Sequence, residues 1–215
     1  MRKSVEIKLA LADEITVIQG VLSKQKTKNK KQNTVMKKVV TVAIMAFALV
    51  FSVETFAQKF PGLDKSPMDG ASYPSSYRVS DKVVRINYGR PQLKGRDAME
   101  LMTKDGPVWR TGANEAPEIT FYKDVKLGGG EIKAGTYSLF TIPGESEWTI
   151  ILNSNLNQWG AYSYDEAADV ARVKVTAKTD KKSIEEFSIV FEEAEGGAHM
   201  IMAWGTTRVA VPLTW

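Results

Sequence analysis

The sequence predicts an all-β fold, an antiparallel β-sandwich of about eight strands with two short helical segments. Three observations carry that prediction. Beyond residue 77, apolar and polar residues alternate in short runs, the period of a half-buried strand. Turns rich in Gly and Pro separate those runs at hairpin distances. The helical-looking segments there, Asp97 to Thr103 and Tyr164 to Ala168, are too short to cross between parallel strands. With one face apolar on most strands, a sandwich is preferred to a barrel.

Taken in order, Val84, Ile86 and Tyr88 alternate with Arg85 and Asn87, and Ile119 to Tyr122 and Tyr137 to Ile142 are aromatic and β-branched runs. Trp148, Ile150 and Leu152 alternate, as do Val173, Val175 and Ala177. Phe187, Ile189 and Phe191 repeat the pattern, the run AHMIMAW (198–204) follows, and Val209, Val211 and Leu213 close the chain. Gly128-Gly129-Gly130, Pro143-Gly144 and Gly196-Gly197 supply the turns. Residues 77–215 are therefore the β-sandwich domain, and 58–76, with three prolines and no period, is an extended N-terminal arm.

The preceding residues read as a leader. Lys37-Lys38, the apolar run Val39 to Phe51 and the segment Ser52 to Ala57 follow the order of a signal peptide, so 36–57 is assigned to export and cleavage near Ala57. The run falls short of the roughly 20 apolar residues a spanning helix needs, so no stable membrane insertion is expected after cleavage. Residues 1–35 precede the usual start of such a leader and read as an upstream extension from a misassigned start, with Met36 as the true one. The expected location is periplasmic or secreted.

Charge follows the same division. The net charge is +4, but residues 1–57 hold ten basic and four acidic side chains against 19 and 21 in residues 58–215, so the basic excess belongs to the leader and nucleic acid is not an expected partner. With no Cys, there is no disulfide, thiolate metal site or thiol nucleophile. His199 is the only histidine, which excludes a multi-histidine metal site, and its apolar setting reads as a packed or sheet-surface residue. Glu192, Glu193 and Glu195 read as a solvated acidic turn, because the ligand spacing of a calcium loop is absent. Gly130-x4-Gly135-Thr136 lacks the lysine of a phosphate-binding loop and runs into a strand. Neither a metal nor an organic cofactor is expected.

The densest polar signal is YGRPQLKGRDAMELMTKDGPVWRTGANE (88–115). Arg90, Arg96 and Arg110 stand among Gly, Pro and Asn114, a set suited to an anion or hydroxyl group, with the Trp109 indole as a stacking face. The same arginines could instead hold loops by pairing with Asp97, Glu115 or Asp169. Asp169 and Arg172, three apart at a strand entry, carry the same two readings.

Together YGRP (88–91), KGR (94–96), VWRTGANE (108–115), KAGTYSLFTIPG (133–144), EWTIILN (147–153) and DVARVKV (169–175) resemble the bacterial domain-of-unknown-function family 2911, over roughly residues 66–213. That resemblance implies an exported, β-rich protein with no established activity and no catalytic or ligand residues to carry over.

The functional expectation is a small polar ligand or glycan bound through loops bearing Arg90, Arg110, Asn114 and Glu115, with Asp169 and Arg172 as further candidates. The alternatives are an envelope hydrolase using paired carboxylates such as Glu115 and Asp169, and a structural or protein-interaction module. The balance leans away from an enzyme, since no nucleophile or metal constellation is recognisable.

Overall fold

Between Arg2 and Val50 the chain has no proline and a single glycine among many Lys, Ala, Leu and Gln residues, which favour helix. In the computed structural model this stretch is one α-helix, α1 (Arg2–Val50). The structure describes the backbone of residues 2–50 and 58–215, with side chains from 19–45 and from 58 onward. The chain divides into two units, Met1–Pro61 and Gly62–Trp215. In α1 the hydroxyls of Thr27, Thr34 and Thr41 donate back to the carbonyls four residues earlier, and the Lys-rich tract is exposed. The expected cleavage segment Ser52 to Ala57 lies outside the described residues. Among those described, no helix is long and apolar enough to cross a membrane.

The second unit is antiparallel throughout. Its strands are β1 (Met68–Tyr73), β2 (Val84–Gly89), β3 (Glu118–Phe121), β4 (Val125–Leu127), β5 (Gly130–Ile132), β6 (Gly135–Ile142), β7 (Glu147–Asn153), β8 (Asp169–Ala194) and β9 (Gly197–Thr214). They form one nine-stranded sheet in the order β1-β2-β3-β6-β7-β8-β9-β4-β5, which does not close into a barrel. The sheet folds over on itself through β8. Its first part pairs with β7 and its remainder with β9, and register irregularities between Thr179 and Ser188 mark the corner. Tyr88 on β2 shows that the two leaves face one another, for it meets Phe187 edge to face at 5.7 Å and its hydroxyl accepts from the Ile189 amide. Those residues lie on β8, four strands away in the sheet order.

The structure joins runs that the sequence separates. Val173 to Ala177 and Phe187 to Phe191 are both parts of β8, and residues 198–204 and 209–213 are both parts of β9. The intervening TDKKSI (179–184) has no glycine or proline to break an extended chain, and Gly205, at φ +54°, turns the corner in β9. Part of the arm over 58–76 also becomes strand: β1 pairs along its whole length with β2, at the sheet edge. The Gly128-Gly129 turn joins β4 to β5 with both residues at positive φ, the demand of a tight hairpin. Of the two helical segments, α2 spans Ala98–Thr103 with Asp97 as its N-cap, and the second contracts to a single 3-10 turn, Glu166–Ala168, capped by Asp165.

Two apolar clusters result. The main core lies between the leaves. At its centre Trp109 stacks on Trp204 at 5.8 Å and meets Trp148 and Phe187 edge to face. A smaller cluster, Ala116, Phe140 and Ile151, lies apart from it, on the outer face of β6 and β7, with Val108, Ala161 and Tyr164 packed against it. Loops over residues 104–117 and 154–168 supply that cover.

Candidate functional site

These two loops hold three of the six sequence candidates, Arg110, Asn114 and Glu115, and Asp169 and Arg172 follow at the start of β8. Residues 108–110 are fixed by Trp109, whose backbone exchanges two hydrogen bonds with Thr141 of β6, at 2.7 and 2.9 Å. The segment therefore behaves as a short added strand, and neighbours point to opposite faces. Trp109 enters the main core, where it is 5% exposed, while Val108 and Arg110 turn toward the outer cluster. The expectation of Trp109 as a ligand-stacking face is thus corrected: the alternation that exposes Arg110 buries the indole.

Arg110 borders a cleft of about 370 Å³ between the loops. Asp105 and Pro107 flank it on one side, and Ala161, Tyr162 and Tyr164 form the other. The Arg110 side chain is 21% exposed, and among the described residues its nearest carboxylate is Asp105 at 4.0 Å and its Nε is buried without a partner. A guanidinium so weakly engaged retains directed donors for a carboxylate, a phosphate or hydroxyl groups. The backbone beside it is unusual. Thr111 is wholly buried at φ +55°, a conformation that costs a β-branched residue about 1–3 kcal/mol, and its hydroxyl donates to that of Thr141 at 3.1 Å.

On the far wall Tyr164 packs edge to face on Phe140 at 5.1 Å and is held by a closed polar network. Its hydroxyl donates to Asp169 Oδ2 at 2.5 Å and accepts from Arg172 Nη2 at 2.8 Å. Arg172 Nε donates to the same carboxylate oxygen at 2.7 Å, Asn153 Nδ2 donates to Asp169 Oδ1 at 2.8 Å, and Glu166 lies 3.3 Å from Arg172 Nη1. Burial, followed by the bond to Asp169, pushes the Tyr164 phenol up to about 12. The bond to Asp169, with that to Tyr164, raises Arg172 above its ordinary value. Both Asp169 and Arg172 are thus engaged by protein, and their effect on the cleft is to fix Tyr164.

Asn114 and Glu115 zip the loops together. Asn114, at φ +63°, accepts at its carbonyl from the Gly160 amide, and its Nδ2 donates to Asp64 Oδ1 at 3.1 Å. The Ser66 amide and Asn114 together hold the Asp64 carboxyl below its usual range. Glu115 forms a bridge with Trp159 and opens onto a different cleft of about 290 Å³, beside Met68 and Asn87. Glu115 and Asp169 therefore share no cleft, and both Asp169 oxygens carry donors, so the geometry gives the carboxylate pair no common substrate position.

Arg90 stands apart from this set. Its Nη1 pairs with Asp69 at 2.9 Å, Nη2 donates to Ser188 Oγ at 2.8 Å, and Nε donates to the Phe187 carbonyl at 3.2 Å. It ties β1 and the end of β2 to β8, the loop-holding role that the sequence left open for it. Arg96 likewise donates to the carbonyls of Leu93 and Gln92. The sequence reading missed Asp105, Tyr162 and Tyr164 as cleft residues. The signal it had was AYSY (161–164), two tyrosines in a turn-rich loop, with Tyr162 left 74% exposed.

The glycines of the two arginine motifs account for their association. A Cβ on Gly89 would lie 2.3 Å from the Ala113 carbonyl oxygen, and one on Gly112 would lie 2.8 Å from that of Gly89. YGRP and WRTGANE are therefore pressed backbone to backbone, a contact only glycine permits. His199 is exposed on β9 opposite Glu192, and among the described residues no three His, Asp or Glu side chains are gathered as a metal site.

No curated protein and no solved structure matches the chain. A family model does, described as a protein of unknown function (DUF2911), and it spans residues 66–213. It takes in all nine strands nearly to their ends, both interlocked motifs and the cleft between the loops, and the chain belongs to the DUF2911 family.

Proposed function

We propose that the second unit is a binding module for a small anionic or polyhydroxylated ligand, a glycan fragment bearing a carboxylate being the best fit, seated in the cleft between Arg110 and Tyr164. The observation that carries this reading is Arg110 itself: a guanidinium on a cleft wall with, among the described residues, no carboxylate nearer than 4.0 Å. Tyr162 and Tyr164 offer ring faces or edges for a sugar, and the Asp169 network keeps the second of them in place. The ligand meets a preformed site, so little ordering opposes binding. The protein works outside the cytoplasm, with the leader removed after Ala57. That part of the proposal rests on the order Lys37-Lys38, apolar run and small residue, and mass spectrometry of the N-terminus in an envelope fraction tests it.

The test of the site is a thermal-shift series on the full chain with uronic acid oligosaccharides, neutral oligosaccharides, simple carboxylates and phosphate. A ligand at a hundred times its Kd stabilises by about 2.7 kcal/mol. For a body of this size that is a rise of about 5–10 °C. The acidic sugars are expected to stabilise the wild type and not a folded Arg110→Ala. No stabilisation by any member, or stabilisation retained in Arg110→Ala, rejects the site. A badly destabilised Arg110→Ala with no hits favours the structural or protein-interaction alternative.

A further inference from the structure

A second site is independent of Arg110. The face of the β8–β9 ribbon turned away from the core should carry polar side chains if it met only water. Instead Val190 stands opposite Ile201 and Ser188 opposite Ala203, with Ile184 and Pro212 nearby. They border an open trough of about 830 Å³, more than twice the volume of the Arg110 cleft, and Val190 is 47% exposed. Paired across two strands rather than scattered singly, these side chains offer a ligand continuous apolar surface.

One end of the trough is cationic. Lys178 lies directly opposite Arg208 in the strand register, an arrangement unfavourable unless an anion intervenes. Arg208 has Asp180 at 3.6 Å, and Lys174, on the same border, is paired with Glu147 at 2.9 Å. Among the described residues Lys178 has no ion-pair partner, which leaves one positive charge uncompensated at this end. Glu192 borders the trough beyond Val190. From Arg208 to Ile201 the contour of β9 is about 23 Å at ordinary strand rise, bent at Gly205, which suits a long chain with one charged end.

We propose that this trough binds a long-chain fatty acid free in solution, its carboxylate on Lys178 and its chain over Val190 and Ile201. A buried methylene adds about fourfold in affinity, and roughly twofold where one side stays open to water. The test is calorimetric titration of the full chain with laurate, octanoate and dodecyltrimethylammonium below their micelle concentrations. Laurate is expected to bind once per chain, with octanoate and the cationic amphiphile each at least tenfold weaker. Lys178→Glu should weaken laurate at least tenfold and strengthen dodecyltrimethylammonium. Val190→Asp should weaken both, and circular dichroism should show that both variants, altered at exposed positions, remain folded. Equal affinity for the two head groups overturns the proposal, as does laurate binding unchanged in Val190→Asp. So does association only with phosphatidylglycerol vesicles. A chain that binds no laurate but self-associates, and becomes monomeric in Val190→Asp, overturns it in favour of a second copy on this face.

Discussion

Asp169→Ala removes the acceptor on which the far wall of the Arg110 cleft depends. The carboxylate side chain is 8% exposed and takes hydrogen bonds from Tyr164, Asn153 and Arg172. Bonds to a charged group contribute about 1.5–3 kcal/mol each in favourable settings. Three features lower that here. Arg172 is about one-third exposed and keeps Glu166, so its share falls toward the surface range of about 0–1 kcal/mol. Asn153 Nδ2 still donates to the Asp165 carbonyl. Tyr164 still accepts from Arg172. The net loss is therefore about 3 kcal/mol, carried mainly by the Tyr164 hydroxyl. For a body of this size that lowers Tm by about 6–12 °C. With a urea slope near ~2 kcal/mol/M it moves the unfolding midpoint down by about 1.5 M. Urea unfolding followed by tryptophan fluorescence reads this directly. Asp169→Asn, which keeps an acceptor and loses the charge, should fall roughly halfway. A midpoint for Asp169→Ala within about 0.3 M of wild type, at unchanged slope, would refute the claim that this network fixes the cleft wall.

Gly89→Ala should cost about 3 kcal/mol although it adds one methyl, because that methyl meets a backbone carbonyl at 2.3 Å and the facing loop is itself pinned. A Tm within 2 °C of wild type would show that the two motifs are not interlocked. Alkaline titration gives a further check. The Tyr164 phenol is raised to about 12 in the folded chain from an ordinary value near 10. Its contribution is thus complete below pH 10 and is lost as the pH rises toward 12, because the unfolded chain releases the proton first. Wild type should lose more stability than Tyr164→Phe between pH 9.5 and 11.5 in urea titrations, and parallel curves would contradict this.

Period two made most strands legible, because alternation reports one buried face regardless of which strand lies beside it. It failed where little of the strand is buried or the chain turns. β1 pairs only with β2, and the polar residues 179–184 continue β8 round a corner that no glycine or proline announces. The site was legible as residue types but not as partners. Arg90 and Arg110 look alike in their glycine-bearing motifs. What separates them is that Asp69 and Ser188, 21 and 98 residues away in sequence, close on Arg90, and among the described residues nothing comparable closes on Arg110. Such pairings follow from how the leaves fold over, which local pattern does not encode. The fate of Trp109 was within reach of the sequence, since adjacent residues on an extended segment face opposite ways.

Thr111 offers the sharpest view of why the cleft loop has its shape. At most positions Ala is more stable than Gly by about 0.4–1 kcal/mol, because glycine has more freedom to lose on folding. At φ +55° that preference should be offset, since the left-handed region penalises any Cβ by roughly 1–2 kcal/mol. Both substitutions lose the bond to Thr141 and the γ-methyl, and glycine also gives up the buried β-carbon, about 0.8 kcal/mol in favour of Ala. Thr111→Gly should therefore lie within about 0.5 kcal/mol of Thr111→Ala, and an Ala variant more stable by the roughly 1.5 kcal/mol of an unstrained buried site would mean that no strain is held there. Strain of this kind persists only where its surroundings over-determine it. Here they do so on both sides: Trp109 is locked to Thr141 by two backbone bonds and into the core by its indole, and Gly112 is pressed against Gly89. Between those two fixed points the residue left to carry an unsatisfied guanidinium to the cleft is Arg110, which is where a ligand would repay the distortion.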